Sequence, residues 1–147
     1  MREIANEYKK IKQKTPGEVD DFSFVDIDGD THQFSEYLGK WVIVNYWATY
    51  CEPCIASFPI LNKVASHFKG NAVVLAVEAG ETPHHDLKKF VRDMKINYSV
   101  IPTQDSVMFA LGFIYGVPTT FIVDPHGEIV TTHMGEITIN DLDGSIK

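Results

Sequence analysis

The chain has 147 residues, 44% of them apolar and 22% charged, which suits a globular protein long enough to bury an ordinary core. Its 13 basic and 20 acidic residues leave a formal charge of −7. That argues against nucleic acid or an anionic membrane surface as the main partner, since both call for clustered Lys and Arg.

The elements follow in chain order. Residues 2 to 13 place Ile4, Tyr8 and Ile11 at helical spacing, which fits an amphipathic helix or a solvated leader, ended by Thr15-Pro16-Gly17. FSFVDIDGDTHQF predicts a β-hairpin in which Phe22, Phe24 and Asp26 alternate and Asp28-Gly29 turns. SEYLGK gives one helical turn closed by Gly39. WVIVNYWA (41–48) is a near-continuous β-branched and aromatic run, as in a strand buried on both faces. Residues 52 to 68 carry a helical stripe of Ile55, Phe58, Leu61, Val64, Ala65 and Phe68, with Pro59 inside it, where a kink is expected.

AVVLAVEA (72–79) reads as a second buried strand. Thr82-Pro83 opens a helix whose inner face is Leu87, Phe90, Val91 and Met94. A short segment around 98–100 precedes Pro102, and SVMFAL makes a short helix ended by Gly112. TTFIVD (119–124), the turn PHG and EIVTTHM (128–134) form a hairpin, and a last helix starts near Thr138. The expected fold is α/β: one domain, a central mixed sheet flanked by helices, with an N-terminal hairpin. No run reaches the roughly 20 apolar residues of a membrane span. No signal peptide is visible, so the expectation is a cytosolic protein or a mature fragment whose export signal was removed.

The chain's two cysteines, Cys51 and Cys54, stand in VNYWATYCEPCIASFPIL, where a buried strand gives way to a helix. A disulfide between residues three apart closes a tiny loop and removes little chain entropy, so a structural staple is a weak reading. Structural zinc needs four ligands, and no second cysteine pair is present; His84 and His85, far along the chain, read as solvated. A peroxidatic cysteine would want a Thr three residues ahead, where this chain has Ala48.

With Cys51 as N-cap, Glu52, Pro53 and Cys54 fill the first turn. A Cys51 thiolate there meets the partial positive charge of the helix start and can accept the N–H of Cys54, which lowers its pKa. Residues i and i+3 of a first turn meet the Cα separation of a disulfide, and Pro53 loses an N–H that had no intrahelical partner. The pattern points to a reversible dithiol that needs no cofactor beyond the Cys51–Cys54 disulfide and no metal.

NYWATYCEPC, Pro59 five residues beyond the second cysteine, and YGVPTTFIVD together resemble the thioredoxin superfamily, and more narrowly the TlpA/ResA/CcmG group of bacterial extracytoplasmic thiol–disulfide oxidoreductases. The resemblance runs from about residue 22 to residue 135. It implies a cis Val117–Pro118 bond facing the disulfide, with the carbonyl and N–H beside Pro118 free to pair with an extended substrate as a transient strand. Val117, Pro118 and Thr119 then join the substrate-binding set. Trp47 and Tyr50 read as part core and part wall beside Cys51, Trp47 serving packing or substrate contact alike.

The chain departs from the group's pattern at the proton acceptors for Cys54. The buried acid of many thioredoxins, six residues before the first cysteine, is Asn45, and the Glu that the group often places three residues after the second is Ser57. Glu78, at the carboxyl end of the second strand, is either a replacement or a loop carboxylate without a role. Glu52 suits the helix dipole but disfavours a neighbouring thiolate.

The partners implied are a protein thiol or disulfide and an upstream electron donor. The resemblance favours a periplasmic or extracytoplasmic reductant, for example in cytochrome c maturation. The alternative is a non-catalytic binding module or Cu(I) chaperone holding its cargo through the two thiolates.

Overall fold

The computed structural model describes residues 17–112, 114–143 and 146; the expected N-terminal helix lies outside them. A two-stranded antiparallel sheet of β1 (Ser23–Val25) and β2 (Thr31–Gln33) precedes a 3-10 turn at Phe34–Tyr37. Then come β3 (Trp41–Trp47), α1 (Glu52–His67), β4 (Ala72–Glu78), α2 (His84–Asp93), β5 (Ser99–Ile101) and α3 (Asp105–Leu111). The hairpin β6 (Thr119–Val123) and β7 (Ile129–Met134) leads to α4 (Ile139–Asp143). The five-stranded sheet has the order β5-β4-β3-β6-β7, with β3, β4 and β5 parallel and β6 and β7 antiparallel. This is the expected mixed sheet with flanking helices and an N-terminal hairpin, and the fold is thioredoxin-like.

Every residue from Val42 to Trp47 is buried, as an apolar run at the sheet centre requires. Alternation along β3 divides the core between two faces. Val42, Val44 and Tyr46 pack with Leu75, Val77, Phe24, Phe34 and Phe121 on one side. On the other, Trp47 and Ala76 pack with Cys51, Cys54 and Phe58, while Ile43 and Val74 pack with Leu61 and Val64. α1 therefore lies on the second face, its burial coming from Cys54, Ser57, Phe58, Leu61 and Val64. Each fully buried aliphatic or aromatic side chain contributes about 1.5–3 kcal/mol. Pro59 sits inside α1 and cannot donate to the Ile55 carbonyl.

Two expectations about individual residues change. Asp26 does not continue the β1 alternation. The strand ends at Val25, and the Asp26 carboxylate organises the turn by accepting the N–H groups of Asp28 (2.9 Å) and Asp30 (3.0 Å). Met94 is not on the inner face of α2. The helix ends at Asp93, Lys95 follows in the left-handed region (φ 56°), and Met94 is left exposed.

Candidate active site

The site forms where β3 ends and α1 begins. Cys51 is the N-cap of α1 with extended backbone (φ −101°, ψ 106°), and its sulfur accepts the N–H of Cys54 at 3.2 Å. The next backbone bond, Ile55 N–H to the Cys51 carbonyl, starts the helix. Cys51 and Cys54 are joined by a disulfide with Cα atoms 5.2 Å apart. Cys51 retains 8% of its surface, whereas Cys54 retains none. Glu52 and Pro53 occupy the exposed outer side of the same turn. Among the described residues no group of three or more His, Cys, Asp or Glu is arranged to hold a metal, and His84 and His85 lie exposed at the start of α2.

The segment before β6 packs against the cysteines. The Val117–Pro118 bond is cis and Pro118 is buried. Val117 touches both the cluster that contains Cys51 and Cys54 and the core on the opposite face. Thr119 is buried, its hydroxyl donating to the Gly116 carbonyl at 2.6 Å. The carbonyl of Pro118 itself is engaged, accepting the N–H of Gly135 at 2.9 Å.

Trp47 and Tyr50 divide the role expected of them jointly. Trp47 has no exposed surface. It stacks on Phe90 at 5.5 Å and meets Phe58 edge-on at 5.3 Å, so it is a floor beneath the cysteines that a substrate does not touch. Tyr50 is 79% exposed, because it stands on the turn after the strand has left the sheet.

The two positions that lack the usual acid are occupied by neutral, hydrogen-bonded side chains. Asn45 donates from Nδ2 to Thr120 Oγ1 across the β3–β6 pair at 2.9 Å. Ser57 donates back to the Pro53 carbonyl at 3.0 Å and accepts the Ile137 N–H at 3.4 Å, tying α1 to the segment before α4. Such i−4 back-bonding is a habit of Ser in a helix and engages the hydroxyl structurally.

Glu78 is the carboxylate that remains, and it is 2% exposed. Its register partner on β3 is Trp47, and Ala76, one residue pair back on the same face, packs with Cys54. A side chain grown from Gly80 would begin 3.6 Å from Glu78 Oε2, 3.6 Å from Tyr50 Cε1 and 4.0 Å from Ala48 Cβ. The Glu78 carboxyl thus borders the same space beside Gly80 as Ala48 and Tyr50, on the segment that delivers Cys51. Burial pushes its pKa above the ordinary 4.5, opposed by hydrogen bonds from the Thr82 hydroxyl and backbone N–H. Oε2 is buried without a partner. The Thr82 hydroxyl also meets the Thr49 hydroxyl at 3.2 Å. Periodicity gives no sign of this Thr49–Thr82 pair, which joins two loops 33 residues apart.

A thioredoxin-like sheet that places a two-cysteine helix start beside a cis-proline loop defines a thiol–disulfide oxidoreductase whose redox group is the cysteine pair itself. The AhpC/TSA family matches residues 11–132, and the chain belongs to that family as a TlpA/ResA-like member of the thioredoxin superfamily. It is 35% identical over 129 residues to the thiol-disulfide oxidoreductase ResA of Geobacillus kaustophilus, covering 86% of this chain and 73% of that one. Among solved structures it is similar to a thioredoxin-family thiol:disulfide interchange protein of Chlorobium tepidum, at 27% identity and a TM-score of 0.76, covering 89% of this chain and 94% of that one. It is also similar to the exposed lipoprotein thioredoxin Etrx1 of Streptococcus pneumoniae, at 26% identity and a TM-score of 0.76, covering 86% and 98%. None of the described helices is long and apolar enough to cross a membrane.

Proposed function

We propose that the protein reduces disulfides of partner proteins by exchange through Cys51 and Cys54, outside the cytoplasm, in a pathway such as cytochrome c maturation. The observation that carries the direction of attack is the unequal burial of the pair, with 8% of Cys51 exposed and Cys54 sealed. In the reduced protein the Cys51 thiolate attacks a substrate disulfide. A Cys51–substrate bond forms and one substrate sulfur leaves as thiolate. Cys54 loses its proton and attacks Cys51 Sγ. The Cys51–Cys54 bond forms, the mixed disulfide breaks, and the second substrate thiolate departs and is protonated. Two electrons pass from the pair to the substrate, and an upstream dithiol donor restores the pair.

Val117, Pro118 and Thr119 form the wall along which the substrate strand lies, with Glu52, Pro53 and Tyr50 at its rim. An extracytoplasmic setting draws support from the likeness to ResA and to Etrx1, an exposed lipoprotein thioredoxin. The test is to trap partners on Cys54→Ser. A mixed disulfide with a discrete set of exported proteins on that variant, absent from Cys51→Ser, supports the reading. If Cys54→Ser accumulates no more partners than Cys51→Ser, and the native pair retains copper stoichiometrically, the reading is overturned in favour of a Cu(I)-binding module.

A further inference from the structure

Closing the Cys51–Cys54 bond releases the proton of Cys54, a residue with no exposed surface. The proton needs an acceptor, and the two positions where one would be sought hold Asn45, bonded to Thr120, and Ser57, bonded to Pro53 and Ile137. Neither amide nor hydroxyl ionises in the working range.

We propose that Glu78 is the proton acceptor for Cys54, and that the Thr82 and Thr49 hydroxyls carry the proton between Glu78 and solvent. This rests on the exchange reading above and assigns a residue to its second step. Three observations converge. Glu78 Oε2 is buried and unpartnered, so a lone pair is open to a proton. The carboxyl, Ala48 and Tyr50 all border the space beside Gly80, and Ala48 belongs to the same packed cluster as Cys51 and Cys54. The Thr82 hydroxyl bonds the carboxyl on one side and meets the Thr49 hydroxyl on the other, at 3.2 Å. Thr49 is half-buried and stands two residues before Cys51, so the hydroxyl pair ends at the rim of the site.

A carboxyl whose proton affinity is raised by burial is better matched to a thiol than an ordinary glutamate, as a base should be. The titratable group beside it is Tyr50, which shares the surroundings of Gly80 with it, while Cys51 and Cys54 pack with Trp47, its register partner, and Ala76. β3 faces it with Trp47, and Thr103 hydrogen-bonds the Glu78 and Gly80 carbonyls through its hydroxyl. Glu81, farther along the loop, is exposed. In the step itself the Cys54 S–H bond breaks and its proton passes to Glu78 Oε2. The thiolate attacks Cys51 Sγ, and Glu78 later returns its proton to solvent through Thr82 and Thr49. Glu78 is thus a relay residue, and ionising it costs the fold the desolvation of a charge.

The test is stopped-flow mixing of the reduced protein with the chromogenic aryl disulfide dithiobis-nitrobenzoate. Attack by Cys51 releases one aryl thiolate, and closure by Cys54 releases the second, so two phases report the two cysteines separately. In Glu78→Gln the first phase keeps its rate. The second slows by about tenfold or more near neutrality, below the 10²–10⁴ of a directly placed base. It then climbs with pH until it meets the native rate, as hydroxide takes over. Thr82→Val removes a hydrogen bond that favours the ionised, proton-accepting carboxylate, so the same phase slows, and Thr82→Ser, which restores the hydroxyl, recovers it. A Glu78→Gln second phase that matches the native one at every pH overturns the assignment, and so does an equal fall of both phases. A native protein that shows only the first phase fails the exchange reading itself.

Discussion

The Cys54 N–H donates to Cys51 Sγ at 3.2 Å, so the attacking sulfur is held by the backbone of its own resolving residue. A thiolate gains more from that bond than a thiol does, and the start of α1 adds its partial positive charge. Brief alkylation of the reduced protein should therefore modify Cys51 alone, with a rate whose pH midpoint lies below the ordinary thiol value of about 8.5. Peptide mapping by mass spectrometry reads the site and the midpoint together. Equal labelling of Cys54 would contradict the burial difference on which the order of attack depends.

Asn45 is a second polar group placed deep in the sheet, and its Nδ2 bond to Thr120 is the cross-strand counterpart of the apolar packing around it. Asn45→Ala leaves Thr120 without this donor and opens a small cavity. The expected loss is about 1–3 kcal/mol, seen as a lower urea midpoint with an unchanged slope. Because the amide does not titrate, the pH profile of exchange should keep its shape in this variant.

The strand at 41–47, the helix after it and the cysteine pair were legible because one signal dominated each. A continuous apolar run marks a strand buried on both faces, and a 3.6-residue stripe marks α1. The N-cap role of Cys51 followed from where those two patterns meet. The cis bond at Pro118 came from the family resemblance. What periodicity missed lies in loops and ends. Met94 fits the α2 stripe but follows the last helical residue, and Asp26 fits the β1 alternation but is drawn into the turn by its own carboxylate. Trp47 and Tyr50, three residues apart, look alike by sequence pattern, yet one ends the sheet and the other stands beyond it. The Thr49–Thr82 contact and the burial of Glu78 depend on how two loops close over each other, which no local pattern encodes.

The floor provided by Trp47 links the fold to the site. It packs on Phe58 of α1 and Phe90 of α2 and supports the cysteine turn from below. Trp47→Ala should cost about 3–5 kcal/mol, the range for truncating a buried aromatic. Trp47→Phe keeps part of the ring contact and should cost less. Thermal unfolding at fixed pH ranks the two, and a small loss for Trp47→Ala would mean that α1 is held by its other contacts.

His32 and Asp26 give the N-terminal hairpin a pH-dependent tie, with Nε2 and Oδ2 2.7 Å apart. The Asp26 bond holds the His32 pKa above its ordinary 6.5 despite partial burial, with help from Glu36. Burial alone would raise Asp26, but the bonds from His32 and from the Asp30 and Asp28 backbone outweigh it, so its pKa falls below 3.8. The His32 contribution is fully present below 6.5 and is lost as pH rises through the raised folded value. The Asp26 contribution is present above 3.8 and is lost as pH falls through the lowered value. The pair should therefore stabilise most between those limits. His32→Gln should lower stability more at pH 5 than at pH 9, and a pH-independent difference would refute the tie.

Glu78 carries the opposite sign. Burial raises its folded pKa above the 4.5 of the unfolded chain, so between the two values the folded state binds more protons. Stability from this group falls as pH rises from 4.5 through the folded pKa and stays reduced above it. Glu78→Gln removes that penalty while keeping the shape and the capacity to bond Thr82. The variant should unfold at a higher temperature than the native protein at neutral pH, and its advantage should shrink as pH drops below 4.5. A gain in stability from a substitution that slows closure of the disulfide would be the signature of a carboxylate kept for its proton chemistry. Equal melting curves for the two proteins at neutral pH would instead mean that the folded protein accommodates the ionised carboxylate without cost, which burial with an orphaned Oε2 argues against.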